Sequence, residues 1–202
     1  MQQPAPHVSA ETGSDGIDRA RSREYALLAT LLARSPDTEM IKRLALLQGD
    51  DSSLGTAHAA LADAAANTSE ECARREYFNL FVGLGQGLLS PYASHYLTGS
   101  LYARPLARLR ETLQRLGIES VRRSEPEDHI SILCEIMAGL VGGDIPAPTG
   151  TDREFFEKHL TVWARRLFVD LERAESAPFY SSVGALGRIF MDIEIEAYSL
   201  PA

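Results

Sequence analysis

Residues 124–129 read Ser124-Glu125-Pro126-Glu127-Asp128-His129 and stand directly before an apolar run that begins at Ile130. Ser124 followed three residues later by Glu127 has the pattern of a capping box, and Pro126 would fall in the first turn, where its missing N–H costs nothing. We therefore expect a helix to start here, with Asp128 and His129 in its first two turns. The segment holds more ionisable groups than capping requires, so it is the first candidate for a functional surface.

Helical periodicity continues on both sides of this segment. Upstream, helices are predicted to begin at Asp18, at Asp37, near residue 53 and at a capping box formed by Thr68 and Glu71. Downstream, the expected signals are leucines from Leu106 to Leu116 that end at Gly117, a capping box of Thr151 and Glu154 before an apolar stretch reaching Leu167, and Pro178. No stretch alternates as a strand does. The patterns predict an all-α protein of about eight to ten helices, occupying residues 18–200 as one domain.

Two segments break the periodicity. Residues 83–100 contain four glycines and Pro91, which predicts a loop, and residues 142–150 read as a linker rich in glycine and proline. The glycines at 83, 85 and 87 lack the lysine and the preceding strand of a phosphate-binding loop. We therefore attribute them to loop flexibility.

The composition limits the classes of partner. The chain has 202 residues, of which 45% are hydrophobic and 24% charged, a composition typical of a soluble globular protein. Its formal net charge is −8, and an acidic surface repels the phosphate backbone, so we do not expect nucleic acid as a partner. No apolar run approaches the roughly 18 residues of a membrane span. Residues 1–17 are polar and lack the apolar core of a signal peptide, so we expect a disordered tail and a cytoplasmic protein.

The residues give little indication of catalysis or of a metal. The five histidines are dispersed along the chain, and no zinc or calcium motif is present. Asp128 and His129 are a conceivable acid/base pair, but neighbours on a helix point about 100° apart. Cys72 and Cys134 are expected to be buried free thiols in a reducing compartment. We expect no metal and no cofactor.

A group of aromatic residues indicates peptide binding instead. Tyr77, Leu80 and Phe81 share one helical face, and the stretch 91–96 adds two tyrosines in a predicted loop. Tyrosine and tryptophan often anchor peptides, and the carboxylates of residues 125–129 would add an anionic edge. Such a groove suits a peptide in which arginines precede an apolar run.

Three motifs resemble those of one family. They are Tyr77-Phe78-Asn79-Leu80-Phe81-Val82-Gly83, Pro91-Tyr92-Ala93-Ser94-His95-Tyr96 and Glu125-Pro126-Glu127-Asp128-His129. The last is similar to the Glu-Pro-x-Asp-His signature of the TorD/DmsD group, the cytoplasmic redox enzyme maturation proteins that serve molybdenum oxidoreductases. The resemblance extends over about residues 20–198. It is closest to the branch that accompanies formate dehydrogenases.

The resemblance implies a chaperone that binds the twin-arginine signal peptide and the apo catalytic subunit of a molybdopterin oxidoreductase, assists cofactor insertion and holds back export. It also implies that residues 142–150 act as a hinge between two packed parts, in a monomer or a domain-swapped dimer. The residues it assigns to peptide binding are Tyr77, Leu80, Phe81, Pro91, Tyr92, Ser94, Tyr96, Glu125, Pro126, Glu127, Asp128 and His129.

Two departures affect the groove. Gly83 is followed by Leu84 where members often have proline, and Ala93 stands where many carry an acid. Two other classes of function remain open on the sequence. One is a small helical enzyme using Asp128 and His129, and the other is a generic helical scaffold for protein partners.

Overall fold

The computed structural model describes residues 11–84, 87–118 and 125–200, and within those ranges it contains ten α-helices, one π-helical turn and no strand element. The all-α prediction is confirmed. The helices are α1 (Glu11–Ala33), α2 (Thr38–Leu44), α3 (Ser53–Ala66), α4 (Glu70–Tyr77), the π-helical turn (Phe78–Val82), α5 (Ala93–Thr98), α6 (Arg104–Arg115), α7 (Ile130–Gly142), α8 (Thr151–His159), α9 (Ala164–Glu172) and α10 (Pro178–Ser199).

Helices α1 and α7 form the most extensive helix pair among the described residues. Apolar residues at helical spacing account for it, because Tyr25 and Leu28 of α1 and Leu133 and Met137 of α7 are all fully buried. The pair is fixed in register where the Ser22 hydroxyl donates a hydrogen bond of 2.8 Å to the carbonyl of Ala138.

Helix α10 completes the core by packing against α9, α3, α4 and α1. Two glycines of α10 allow its close approach to α9. A Cβ added at Gly184 would lie 2.3 Å from the backbone nitrogen of Glu172, and one at Gly187 would lie 2.2 Å from the Phe168 ring. Any larger residue at these positions would therefore push the two helices apart.

A buried ionic cluster joins the first long helix to the last. Glu194 of α10 is fully buried, and its two carboxylate oxygens accept hydrogen bonds of 2.7 and 2.8 Å from the Arg21 guanidinium. The Tyr25 hydroxyl donates to the same carboxylate at 2.9 Å. Burial is costly for a carboxylate unless its oxygens are hydrogen-bonded, and here three donors meet that requirement.

Several predicted boundaries are confirmed. Asp37 caps α2, since its Oδ1 accepts a hydrogen bond of 2.8 Å from the Met40 N–H. Residues 53–66 form α3, Gly117 ends the α6 region with a φ of 66°, and Pro178 opens α10. Residues 143–150 contain no helix, as predicted for a linker, and its role as a hinge stays a prediction.

Other boundaries were wrong. Helix α1 begins at Glu11 rather than at Asp18, so residues 11–17 are not part of a disordered tail. Gly13 and Gly16 weaken a helix without forbidding it, whereas the prolines that do forbid it all lie before residue 7. Residues 1–10 lie outside the described part of the chain.

The two flanking capping boxes do not form. Ser69 rather than Thr68 caps α4, since its hydroxyl accepts from the Cys72 N–H at 3.2 Å. Before α8 the cap is Gly150 in the left-handed region, and Thr151 is already the first helical residue, with its hydroxyl donating to the carbonyl of Pro148 at 2.6 Å. In both places the residue next to the predicted threonine is the cap.

The apolar stretch from Phe155 to Leu167 is two helices rather than one. Helix α8 ends at His159 and α9 begins at Ala164, and Trp163 between them has a φ of −150° and a ψ of −30°. The indole N–H of this fully buried residue donates to the carbonyl of His159 at 2.7 Å, which satisfies the end of α8. Burial of the largest side chain thus overrides continuous helix periodicity.

Two smaller expectations are revised. The predicted loop at 83–100 contains the short helix α5, and Gly85 lies outside the described residues. Cys134 is buried as expected, but Cys72 is only partly buried. Among the described helices, none combines the length and apolar character that crossing a bilayer requires.

Removal of the Glu194 carboxylate from the buried cluster should lower the stability of the protein strongly. We expect Glu194→Ala to lower the free energy of unfolding by about 3–5 kcal/mol, because it leaves the Arg21 charge without its buried partner. Urea unfolding followed by circular dichroism measures the change. Glu196→Ala, two residues along the same helix but exposed, is the control and should change stability by less than about 0.5 kcal/mol. Equal effects at the two positions would contradict this account.

Candidate functional site

A short backbone bridge brings the second and third motifs together. Tyr92 and His129 form an isolated antiparallel β-bridge. The Ala93 N–H donates to the carbonyl of Asp128 at 3.0 Å, and the Ile130 N–H donates to the carbonyl of Pro91 at 2.9 Å. Because this pairing holds His129 in an extended conformation, helix α7 begins only at Ile130.

The predicted helix start at Ser124 was therefore wrong. Ser124 itself lies outside the described residues, but residues 125–129 form a bend and a turn instead of helix. His129 is the actual N-cap of α7, and its Nδ1 accepts a hydrogen bond of 3.1 Å from the Ser131 N–H. The capping-box pattern assigns the cap to Ser or Thr and does not include a histidine that caps through a ring nitrogen.

Asp128 is the centre of the bridge. Its side chain is only 1% exposed, and Oδ2 accepts a hydrogen bond of 2.8 Å from the Ser94 N–H in the first turn of α5. A carboxylate is well placed there, since the first N–H groups of a helix have no partner inside it. The Ser94 hydroxyl in turn accepts from the Ala103 N–H at 3.2 Å.

These contacts do not form an acid/base pair. The Asp128 carboxylate and the His129 ring hold different backbone segments, and His129 Nδ1 also lies 2.7 Å from the Ser131 hydroxyl. Both side chains are buried. Their contacts are those of residues that position the two motifs.

The acidic edge contains one exposed carboxylate. Glu125 is exposed and accepts a hydrogen bond of 2.5 Å from the Tyr92 hydroxyl, whose ring lies edge-on to His129 at 5.0 Å between centroids. Burial and the Glu125 carboxylate both raise the pKa of Tyr92, so its hydroxyl stays a donor. Among the predicted acids, Glu125 is thus the one available to a ligand.

The other predicted acids already have partners. Glu127 accepts hydrogen bonds of 2.9 and 2.8 Å from the Arg110 guanidinium. Burial of Glu127 favours its neutral form, but Arg110 outweighs that effect and lowers the pKa of Glu127. Pro126 is half-buried, and its carbonyl accepts from the His129 N–H at 3.1 Å.

The first motif lies on the π-helical turn and the end of α4. Leu80 is 1% exposed and belongs to the core. The rings of Tyr77 and Phe81 lie 5.1 Å apart and both contact Tyr180 of α10. The Leu89 N–H donates to the carbonyl of Leu80 at 2.8 Å, so the chain leading into the second motif lies against the first.

The remaining predicted residues diverge from this surface. Pro91 and Ser94 are buried. The Tyr96 hydroxyl donates to the Asp170 carboxylate at 2.9 Å, and its ring lies 5.5 Å from that of Trp163. Tyr96 therefore packs on α9, where it lines a separate open cavity of about 600 Å³.

Sequence reasoning missed Tyr102. Its side chain is 72% exposed, and its φ of 56° is the only positive value among non-glycine residues in the described part of the chain. Its phenol is one of the lesser causes of the raised pKa of Tyr92. Positive φ at an aromatic residue is strained and recurs at functional sites, but the sequence carries no signal for it.

A second feature missed by sequence reasoning is a cleft of about 760 Å³, which we call the cationic cleft. It is bounded by α5, α6, α8 and the segment before α7. Its basic side chains are those of Arg104, Arg108, Arg115 and Lys158, and Asp128 and His159 are among its other lining residues. The amphipathic pattern of α6, with buried leucines and arginines between them, was the available signal.

His159 adds no charge to this cleft near neutral pH. Its Nε2 lies 3.0 Å from the Thr112 hydroxyl. Burial, together with the neighbouring Lys158 and Arg115, lowers the pKa of His159 to about 4. The ring is therefore neutral across the physiological range.

Substitution of Asp128 should lower the stability of the protein. We expect Asp128→Ala to lower the free energy of unfolding by about 2 kcal/mol, since the buried Ser94 N–H loses its acceptor, and Asp128→Asn to cost about half as much because an acceptor oxygen remains. Urea unfolding is the measurement, with exposed Asp144→Ala as control. A larger loss for asparagine than for alanine would rule out this role.

The lowered pKa of His159 should make the free energy of unfolding depend on pH. Its pKa in the folded protein is about 4, below the ordinary value of 6.5, so the unfolded chain binds more protons between these values and stability falls as pH falls. We expect the wild type to lose about 2 kcal/mol relative to His159→Gln between pH 6.5 and 4. Urea midpoints across this range test it.

His58 supplies a control of opposite sign. His58 Nε2 donates a hydrogen bond of 2.9 Å to the Glu24 carboxylate, which raises the pKa of His58. The contribution of His58 to stability is therefore present at low pH and is lost as pH rises. The wild type should therefore gain stability relative to His58→Gln as pH falls. The same sign for both variants would refute the assignment.

Comparisons with known proteins identify the family. Residues 47–169, more than half of the chain, match the family model described as nitrate reductase delta subunit. Chaperone protein TorD of Aeromonas salmonicida is 26% identical over 126 residues, which cover 58% of this chain and 57% of that protein. Chaperone protein TorD of Shewanella piezotolerans is 21% identical over 211 residues, covering 94% and 96% of the two chains.

A solved structure shows the same fold. The crystal structure of a protein described as a redox enzyme maturation protein from Archaeoglobus fulgidus superposes with a TM-score of 0.58 at 22% identity, covering 85% of this chain and 93% of that one. The resemblance proposed from the three motifs is confirmed, while the formate dehydrogenase branch stays a prediction. The chain belongs to the nitrate reductase delta subunit family, together with the TorD-like redox enzyme maturation chaperones, and members of this family are chaperones rather than enzymes.

Proposed function

We propose that this protein binds the twin-arginine signal peptide of a molybdenum oxidoreductase through the surface around Tyr92 and Glu125. The observation that carries the proposal is the hydrogen bond of 2.5 Å between the Tyr92 hydroxyl and the exposed Glu125 carboxylate. An exposed carboxylate held by a tyrosine offers both a charge for a guanidinium and a flat apolar ring beside it.

Exposed apolar side chains of the first motif and of the chain that follows it suit the apolar run of such a peptide. Phe78, Val82, Leu84 and Leu88 are 41%, 50%, 98% and 71% exposed. The Leu88 N–H donates to the carbonyl of Asn79 at 3.2 Å, so the chain after the glycine-rich loop returns to the π-helical turn. Apolar surface of this extent on a chain with a net charge of −8 is typical of a contact site.

The names of the relatives support the wider role. The TorD proteins are described as chaperones, and the Archaeoglobus protein as a redox enzyme maturation protein. By this likeness we infer that the apo catalytic subunit is the client, that cofactor insertion is assisted and that early export is held back. A formate dehydrogenase as the client is part of the same proposal.

Peptide binding is tested by isothermal titration calorimetry. We expect signal peptides with paired arginines and their apolar run to bind with micromolar or better affinity, more weakly when both arginines are lysine, and more weakly as salt rises. Glu125→Gln should weaken binding about tenfold, and Tyr92→Ala should cost about 2 kcal/mol as an interface anchor.

The control is Glu71→Gln, which removes one charge from an exposed position on α4 and should leave affinity unchanged. No heat with peptides from several molybdoenzymes would count decisively against the proposal. If the affinity changed neither with salt concentration nor in Glu125→Gln, the apolar side chains alone would account for binding.

A further inference from the structure

We propose that the cationic cleft is a second binding site, for a small amphipathic anion. Such a ligand has an apolar body, a negatively charged group at one end and an N–H or O–H donor. This site differs from the signal-peptide surface in the sign of its charge and in its lining. The inference therefore does not depend on the proposed peptide binding.

The basic residues that line the cleft favour an anionic ligand. Arg104 and Arg108 lie one turn apart on α6 and are exposed, and no ion pair of either is found within the described ranges. The Glu111 carboxylate also lines the cleft, so it offsets one of its positive charges. Arg115 and Lys158 also line the cleft, although both are shared with Glu154. Four basic residues against two acidic ones leave the lining with an excess of positive charge, on a chain whose net charge is −8.

The walls select an apolar body. Leu109 and Leu133 are buried side chains that line the interior, and Leu97 and Val162 are 42% and 53% exposed. A volume of about 760 Å³ falls within the range of small-molecule sites, roughly 300–1,000 Å³. A ligand that covers these side chains would remove apolar surface from water.

The interior selects a donor. Asp128 Oδ2 is used by Ser94, but Asp128 Oδ1 is buried and has no hydrogen-bond partner within the described part of the chain. A buried acceptor without a donor is costly, and such atoms recur where a ligand supplies the missing group. An anion alone would be repelled by Asp128, so the charged end belongs at the arginines and the donor belongs inside.

The probe for this site is 8-anilinonaphthalene-1-sulfonate, which combines a sulfonate, a naphthalene body and an anilino N–H. We expect saturable one-to-one binding by the full chain, seen as increased fluorescence. N-phenyl-1-naphthylamine has the same body without the sulfonate, and it should bind at least tenfold more weakly. Inorganic phosphate at the same concentration should not displace the sulfonate probe.

Variants locate the bound probe. The double variant Arg104→Glu with Arg108→Glu should weaken binding at least tenfold, and Val162→Asp should weaken it through the apolar wall. Lys42→Glu with Arg74→Glu changes the net charge equally at exposed positions elsewhere and should change affinity by less than twofold. Circular dichroism confirms that each variant is folded.

Three results would overturn the proposal. The first is equal loss in the two double variants, which would reduce the effect to net charge. The second is loss of binding in Leu84→Ser with Leu88→Ser, which would place the probe on the exposed apolar side chains. The third is competitive displacement by a twin-arginine peptide, which would merge the cleft with the peptide surface, whereas simultaneous binding of both supports two sites.

Discussion

The candidate surface depends on the buried carboxylate of Asp128. It joins two segments that are far apart in sequence, since the hydrogen bond to the Ser94 N–H spans 34 residues. The same contact satisfies the first turn of α5, and the paired backbone around it sets where α7 begins. Tyr92 and Glu125 meet only because their flanking residues are held in this way. An aspartate in this position thus acts through geometry, and its charge is not available at the surface.

The sequence predicted the helices where the start or stop depends on local chemistry. Asp37, Gly117 and Pro178 act through their own side chain or backbone preference, and the structure confirms all three. The capping box at Glu127 failed because tertiary pairing with Tyr92 took the backbone that a helix would have used. The break near Trp163 was missed for a similar reason, because the burial of an indole depends on tertiary packing, which helical periodicity does not show.

The site was predicted in part. The motifs suggested that tyrosines and carboxylates share a surface, and Tyr92 with Glu125 does so. The sequence could not show that Arg110 neutralises Glu127 or that Tyr96 turns towards α9, because both depend on how distant helices pack. Likewise a total charge of −8 concealed the cationic cleft, since a sum carries no information about where charges gather.

The buried contact of α10 with α1 has a consequence for biosynthesis. Arg21 and Glu194 are 173 residues apart, so Arg21 leaves the ribosome long before its partner is made. Until α10 has been made, α1, α3 and α4 lack the helix that covers part of their apolar side chains. Loss of α10 would therefore leave the remaining helices with exposed apolar surface and prone to aggregate.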